Sequence, residues 1–97
     1  MSGVITPVMV SSGNGSVQTA ATGTNYTALT AQACMQVTIV NDTGTKLEVR
    51  QDGAGTALKL LDQDKYTFYG LANASQLSVR RVDTSNTQVT ATYRWEG

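Results

Sequence analysis

The acidic pair Asp62 and Asp64 is the arrangement in this chain that comes nearest to a catalytic or metal-binding motif. Two carboxylates at this spacing on a strand point the same way, as a glycosidase pair or a calcium site requires. The alternative is a polar turn between two strands, because LDQDK at 61–65 has ordinary turn composition. The composition favours the turn.

Other groups that could transfer protons or attack a substrate are scarce. The sequence has no histidine and a single cysteine, Cys34, so Ser–His and Cys–His arrangements cannot form and a Cys/His zinc site lacks its ligands. No S-x-x-K spacing supports a Ser–Lys dyad. We interpret Cys34 as a small buried hydrophobic residue. We therefore predict a protein that is not an enzyme and that holds no cofactor and no metal.

Aromatic side chains offer a different chemistry, because rings exposed on a sheet can stack on sugars or on a protein partner. The candidates are Tyr66, Phe68, Tyr69, Tyr93 and Trp95. Four of them follow the apolar phase of their strands and are expected in the core. Tyr69 breaks that phase, so we expect it to be exposed and to be the candidate interface residue among them.

Arg80 and Arg81 are the candidate charged interface residues. As neighbours on one strand they face opposite sides of a sheet and do not form a patch. We expect one to face solvent, while the other pairs with Asp83 or Glu96 across a subunit contact.

The elements that would position these residues are strands. In QVTATYRW at 88–95, apolar and polar residues alternate with the period of two that a half-buried strand shows. MQVTIVN and KLEVRQ alternate in the same way and are joined by NDTG at 41–44, which predicts a β-hairpin. DGAG at 52–55 is interpreted as a second turn and not a phosphate loop, because no helix and no Lys–Ser/Thr pair follows.

The remaining segments continue this pattern. TALKLL is predicted as a strand, with a helical turn as the alternative, because glycines precede it and aromatic residues follow it. QLSVRRV places Leu77 and Val79 inside and Ser78 and Arg80 outside. From Met35 onward the sequence predicts about six short strands at roughly 8–12-residue spacing. The fold class is all-β, a small antiparallel β-sandwich or barrel of about six to eight strands.

The N-terminal region differs from the rest in composition, since the first charged residue is Asp42. We predict an extended N-terminal arm over residues 1–24 and a β-sandwich domain over residues 25–97. Within the arm, SSGNGS at 11–16 has the composition of a flexible linker. The apolar residues expected to dock on a neighbouring subunit are Val4, Ile5, Val8, Met9 and Val10.

Charge and hydropathy limit the partners. The net charge is zero, which provides no electrostatic footprint for nucleic acid or an anionic membrane. No apolar run approaches the roughly 20 residues of a transmembrane helix. VITPVMV is short for a signal peptide and no Lys or Arg precedes it. We expect a soluble product made in a cytoplasm.

Taken together, VTIVNDTGTKLEVRQDGAG and YTFYGLANASQLSVRRVDTSNTQVTATYRWEG resemble small virion structural proteins of tailed bacteriophages, of the compact β-rich capsid decoration or cement type. The resemblance covers roughly residues 34–97. It rests on the general character of the sequence and not on a diagnostic motif. It implies a homo-oligomer that contacts the major capsid protein or other virion proteins, without catalysis. It also implies a location in the virion after synthesis in the host cytoplasm.

The expected function is therefore that of a capsid decoration or cement protein that binds the capsid lattice and sister subunits. Two alternatives remain open. One is a component of the phage neck, tail or fibre. The other is a carbohydrate-binding β-sandwich module that uses Tyr69 and its aromatic neighbours.

Overall fold

Two four-stranded antiparallel sheets form the protein in the computed structural model, which describes residues 11–97. Sheet A has the strand order β1-β8-β3-β6 and sheet B the order β2-β7-β4-β5. The strands are β1 (Ser12–Gln18), β2 (Thr27–Ala28), β3 (Gln36–Asn41), β4 (Leu47–Gln51), β5 (Ala54–Leu60), β6 (Asp64–Tyr69), β7 (Leu77–Arg81) and β8 (Thr90–Glu96). A 3-10 turn at Ala74–Gln76 precedes β7. No helix within residues 11–97 is long and apolar enough to span a membrane.

The strand pairing shows how the chain is wound. Each of the first four strands pairs with one of the last four in reverse order, β1 with β8, β2 with β7, β3 with β6 and β4 with β5. The chain is a long antiparallel ribbon that folds at the β4–β5 turn and wraps into two sheets, which is the jelly-roll form of a β-sandwich. The all-β class, the antiparallel sandwich and the number of strands are confirmed.

The predicted hairpin between β3 and β4 is wrong. β3 pairs with β6 and β8 in sheet A, whereas β4 pairs with β5 and β7 in sheet B, so NDTG crosses between the sheets. The inner faces are as predicted, with four side chains at most 2% exposed: Val37, Ile39, Leu47 and Val49. Alternation with a period of two identifies a strand and its buried face, but it carries no information about the partner strand.

The β4–β5 connection is a true hairpin. Asp52 and Gly53 form its two-residue loop, with φ of 56° and 66°. Positive φ at both positions is the type I′ geometry, whose twist matches that of the flanking strands. The predicted turn at DGAG is confirmed at Asp52 and Gly53, and the first five residues of TALKLL lie in strand β5, not in a helical turn.

The core fills the space between the sheets and draws on nearly every strand. Leu77 and Val79 are fully buried in it, as predicted. Ser78 follows the outward phase but is only 9% exposed, because β2 and β4 flank it on both sides. Cys34 is 3% exposed, and burial raises the pKa of its thiol. Its environment is that of a small buried hydrophobic residue.

The predicted boundary between arm and domain is also wrong. Five of the six residues interpreted as a linker, 12–16 of segment 11–16, belong to strand β1 (Ser12–Gln18), which pairs with β8 along its whole length. The connection that follows is anchored too, because the Thr19 hydroxyl accepts a hydrogen bond from the Val89 amide and Gly23 donates one to Asn86. Within residues 11–97 the first strand of the sandwich therefore begins at Ser12. The predicted docking residues in segment 4–10 lie outside the described residues.

The glycines that suggested a linker have a packing role in β1. Gly13 and Gly15 lie opposite Trp95 and Tyr93 on β8. A Cβ atom at Gly13 would lie 2.7 Å from the Trp95 ring, and one at Gly15 would lie 2.6 Å from the Tyr93 ring. The absence of side chains at these two positions makes room for the two largest rings of β8, so the glycines are needed for packing and not for flexibility.

We expect Gly15→Ala to lower the free energy of unfolding by about 1–3 kcal/mol, because the new methyl group overlaps the buried Tyr93 ring. Urea denaturation measures the change. Ser16→Ala is the matched control, since Ser16 is exposed on the same strand, and it should stay within about 0.5 kcal/mol of the parent. A stabilising Gly15→Ala, as expected where a glycine is unhindered, would contradict the packing role.

Candidate functional site

An uncharged cleft lies between the two sheets at the side where β5 and β6 are the edge strands. Its volume is about 390 Å³. Its lining residues are Val49, Gln51, Thr56, Leu58, Tyr66, Thr67, Phe68 and Tyr69. Each of the two edge strands has one side that pairs with no strand of residues 11–97. We call this region the β5–β6 cleft.

Part of the cleft lining is apolar because core-facing residues continue into the edge strands. Leu58 lies opposite Val49, and Tyr66 lies opposite Ile39, so both side chains follow the inward phase of their sheets. No further strand covers them within the described chain, and they remain 49% and 52% exposed. The Tyr66 ring packs edge-to-face on Phe68, with centroids 4.9 Å apart.

The aromatic predictions are therefore met in part. Phe68 and Tyr93 are buried and Trp95 packs against the core, as expected. The prediction that Tyr66 is a core residue is wrong, since an inward phase does not bury a side chain at the edge of a sheet. Tyr69 is 71% exposed, which confirms its predicted exposure, while its role in an interface stays a prediction.

Tyr69 is accompanied by a second exposed apolar residue at its end of sheet A. It lies opposite Gln36 on β3, and the preceding residue, Met35, is 68% exposed. Hydrogen bonds tie Met35 to Glu96 and Leu71 through the backbone, so its side chain is held at this end of the sheet. The rim of the β5–β6 cleft thus continues into further exposed apolar surface.

The two arginines singled out in the sequence form ion pairs within the chain. Arg81 contacts Asp83 at 2.8 Å, and this hydrogen-bonded pairing holds the pKa of the Asp83 carboxyl below its usual range. The pairing with Asp83 is thus made inside one chain and not across a subunit contact. Arg80 pairs with Glu48, which raises the pKa of the Arg80 guanidinium, and Glu96 pairs with Arg94.

The carboxylates at 62 and 64 behave as turn residues. Asp62 lies in the turn before β6, where it accepts hydrogen bonds from the Gly44 amide and the Gln63 side chain. Asp64 is exposed at the first position of β6. Within residues 11–97, no three Asp, Glu, Cys or His side chains cluster in a way that could hold a metal ion. The turn interpretation describes Asp62, whereas Asp64 is the first residue of the strand that follows the turn.

Comparison with known proteins adds little about function. No family model matches the chain, and no curated protein sequence matches it. Among solved structures the chain is similar to a de novo designed double-stranded β-helix determined by solution NMR. The two share 18% sequence identity with a TM-score of 0.47, over 90% of this chain and 99% of that one. The likeness carries no argument about function.

Sequence reasoning missed Leu58 and Tyr66 as cleft residues, and it missed Tyr26 and Arg50 on the outer face of sheet B. Leu58 and Tyr66 both have a core pattern, and only the position of their strands at the sheet edges exposes them. Tyr26 and Arg50 are 24 residues apart in the sequence, yet their side chains stack. No local signal in the sequence indicates that contact.

Proposed function

We propose that this protein is a non-enzymatic structural protein of a phage virion, a capsid decoration or cement protein that binds the capsid lattice and sister subunits. The observation that supports this proposal is the β5–β6 cleft, an uncharged groove with exposed leucine and tyrosine side chains. It lies between two strand edges that pair with no strand of residues 11–97. The assignment to a virion is supported by the resemblance of residues 34–97 to small virion structural proteins of tailed bacteriophages.

The physical properties of the cleft suit a protein partner. A free strand edge presents backbone N–H and C=O groups that an extended segment of another chain can pair with. Tyrosine is among the residues that supply much of the affinity when they are buried at the centre of a protein interface, and an exposed leucine adds apolar area that a partner can remove from water. Because the cleft has no charged lining residue, a partner that covers it would not have to desolvate an ion there.

The N-terminal segment is the second contact that we propose. Residues 4–10 are uncharged and mostly apolar, and they lead into β1 at the end of sheet A where Gly97 donates a hydrogen bond to Ser11. Ordering an extended segment costs roughly 1–2 kcal/mol per residue. Simultaneous contact with several subunits of a symmetric lattice would offset that cost through a high effective concentration.

The test of the cleft is rebinding of purified protein to capsids that lack it, with copies per particle determined by quantitative mass spectrometry. Leu58→Asp should reduce occupancy at limiting concentration by about tenfold or more, because it places a charge in the contact. Leu61→Asp is the matched control, since Leu61 is 48% exposed but does not line the cleft. It should change occupancy less than about twofold.

Equal binding of both variants would contradict a role for the cleft. Absence of the parent protein from purified particles would contradict the virion assignment itself. A copy number far below that of the major capsid protein would instead place the protein in the neck, tail or fibre.

A carbohydrate-binding module is the second candidate, and the exposure of Tyr66 and Tyr69 beside the cleft favours it. Rings on the rim of a groove can stack on sugar faces. A glycan array would test this function. A glycan whose binding is lost in Tyr69→Ala, together with unimpaired folding, would support it over the structural role.

A further inference from the structure

The outer face of sheet B has an excess of positive charge, although the chain as a whole is neutral. Strands β4, β5 and β7 contribute three cations to it, Arg50, Lys59 and Arg80, but a single carboxylate, Glu48. The other acidic residues lie in turns or on sheet A. The charges of the molecule are balanced in number but not in position.

At the centre of this face, two guanidinium groups lie over the same aromatic ring. The Cζ atoms of Arg50 and Arg80 lie 4.0 Å and 4.5 Å from the centroid of the Tyr26 ring. Contacts at these distances are cation–π interactions, which hold the planar guanidinium groups in a fixed orientation. The ring thus brings together two positive charges that would otherwise repel each other.

The positive charges of the two arginines differ in how many hydrogen-bond and ion-pair partners they have. Arg80 donates through Nε to the Glu48 carboxylate and through Nη1 to the Thr24 carbonyl oxygen at 2.8 Å. The Tyr26 hydroxyl also donates to Glu48, at 3.3 Å. The carboxylate of Glu48 is therefore committed to Arg80 and Tyr26.

Arg50 has no such partner within the described chain. No carboxylate of residues 11–97 lies within ion-pair distance of it, and its shielded Nε has no hydrogen-bond acceptor. A shielded N–H group of a charged side chain is costly to leave without an acceptor. Arg50 is therefore the arginine of this cluster that has no carboxylate partner among residues 11–97, and because its Nε is shielded, a ligand would bind its terminal Nη groups.

We propose that Arg50, stacked on Tyr26, is a binding site for an aspartate or glutamate side chain of a partner protein. A guanidinium group offers parallel N–H donors that match the two oxygens of a carboxylate, and stacking reduces the rotamer entropy that binding would cost. Lys59, opposite Glu48 on the neighbouring strand, adds to the field that attracts an acidic surface. The partner surface is therefore acidic.

This surface is defined by sheet B alone and does not depend on the β5–β6 cleft or on the virion assignment. An extended polyanion such as nucleic acid is a poor match, because three cations on one face of a neutral chain neutralise few phosphates. A protein carboxylate needs only one well-placed guanidinium group.

The experiment is a titration of the full chain, labelled with ¹⁵N, with an N-acetylated oligoglutamate peptide at low salt, followed through the arginine Nε–Hε signals. The peptide should shift the Arg50 signal more than those of the other arginines. Arg50→Gln should weaken peptide binding by about tenfold to a hundredfold, the equivalent of one hydrogen-bonded charge pair. Lys59→Gln removes the same charge from the same face without touching Tyr26, and it should weaken binding less than about threefold.

Three results would overturn the proposal. The first is an oligoglutamate peptide that leaves the Arg50 signal unchanged. The second is an equal loss of binding in Arg50→Gln and Lys59→Gln, which would indicate a general electrostatic effect. The third is inorganic phosphate binding as tightly as the peptide. If Arg50→Gln does not fold, Arg50→Lys takes its place, because it keeps the charge but loses the planar donor pair, and a clear loss of binding is again expected.

Discussion

Replacement of Asn41 by alanine should lower the free energy of unfolding by about 3–4 kcal/mol, although Asn41 lies in neither candidate site. Its side chain is fully buried at the end of β3. The amide donates to the carbonyl oxygens of Thr45 and Leu60, each at 2.8 Å. The side-chain oxygen accepts from the backbone and the hydroxyl of Thr43.

The size of the effect follows from where these partners lie. Thr43 and Thr45 belong to the crossover from sheet A to sheet B, and Leu60 ends β5 in sheet B, so one amide holds three chain segments together. Alanine would leave the Leu60 carbonyl oxygen and the Thr43 backbone N–H without their partner, whereas the Thr45 carbonyl oxygen would keep a hydrogen bond from the Thr43 hydroxyl. Each buried group of this kind costs about 1–3 kcal/mol, and relaxation of the crossover recovers part of the sum.

Urea denaturation measures the change, and Asn14→Ala is the matched control. Asn14 is exposed on the outer face of β1, and its truncation should change stability by less than about 0.5 kcal/mol. Asn41→Asp tests the donors separately, because it keeps the shape and places carboxylate oxygens against the two carbonyl oxygens. It should be at least as destabilising as alanine at neutral pH. An Asn41→Asp variant as stable as the parent would show that shape alone matters.

The sequence was sufficient for the strands and their inner faces but not for their arrangement. Alternation identified the buried residues of β3 and β4, because burial on one face of a strand imposes a period of two. It could not show that these neighbouring strands belong to different sheets. That outcome depends on Asn41, whose hydrogen bonds stabilise the crossover, and on pairings between strands far apart in sequence.

The candidate sites were predictable to the same limited degree. Tyr69 was found because it breaks the alternation of its strand. Leu58 and Tyr66 have the pattern of core residues, and their exposure arises only from the edge position of β5 and β6. The cluster of Tyr26 and Arg50 depends on the order of strands in sheet B, which no local pattern encodes.

Composition was most misleading in residues 11–24. Gly13 and Gly15 suggested a linker because glycine is common in flexible segments. The same composition suits a strand that packs against Tyr93 and Trp95, because only glycine leaves room for the rings. Distinguishing the two requires knowledge of the partner strand, which is 75 residues or more away in the sequence.

Two N-terminal deletions should therefore behave very differently. Removal of residues 2–10 keeps all eight strands and should leave a cooperative unfolding transition close to that of the full chain. Removal of residues 2–24 deletes β1, which leaves one edge of β8 without its hydrogen-bonded partner and removes the buried Val17 side chain from the core. We expect this deletion to cost more than about 5 kcal/mol, which is within the range of the whole stability of a small domain.

Far-UV circular dichroism with thermal melting, together with the dispersion of ¹H–¹⁵N NMR signals, measures both deletions. The longer deletion should give collapsed spectra without a cooperative transition, so its loss of particle binding would say nothing about an arm. The shorter deletion isolates segment 4–10, because a folded protein that no longer binds particles points to that segment directly. A cooperative, well-dispersed protein after removal of residues 2–24 would mean that β1 contributes little to the sandwich. The pairing of β1 with β8 and the fit of its glycines to the buried Tyr93 ring and the partly buried Trp95 ring make that outcome the least expected.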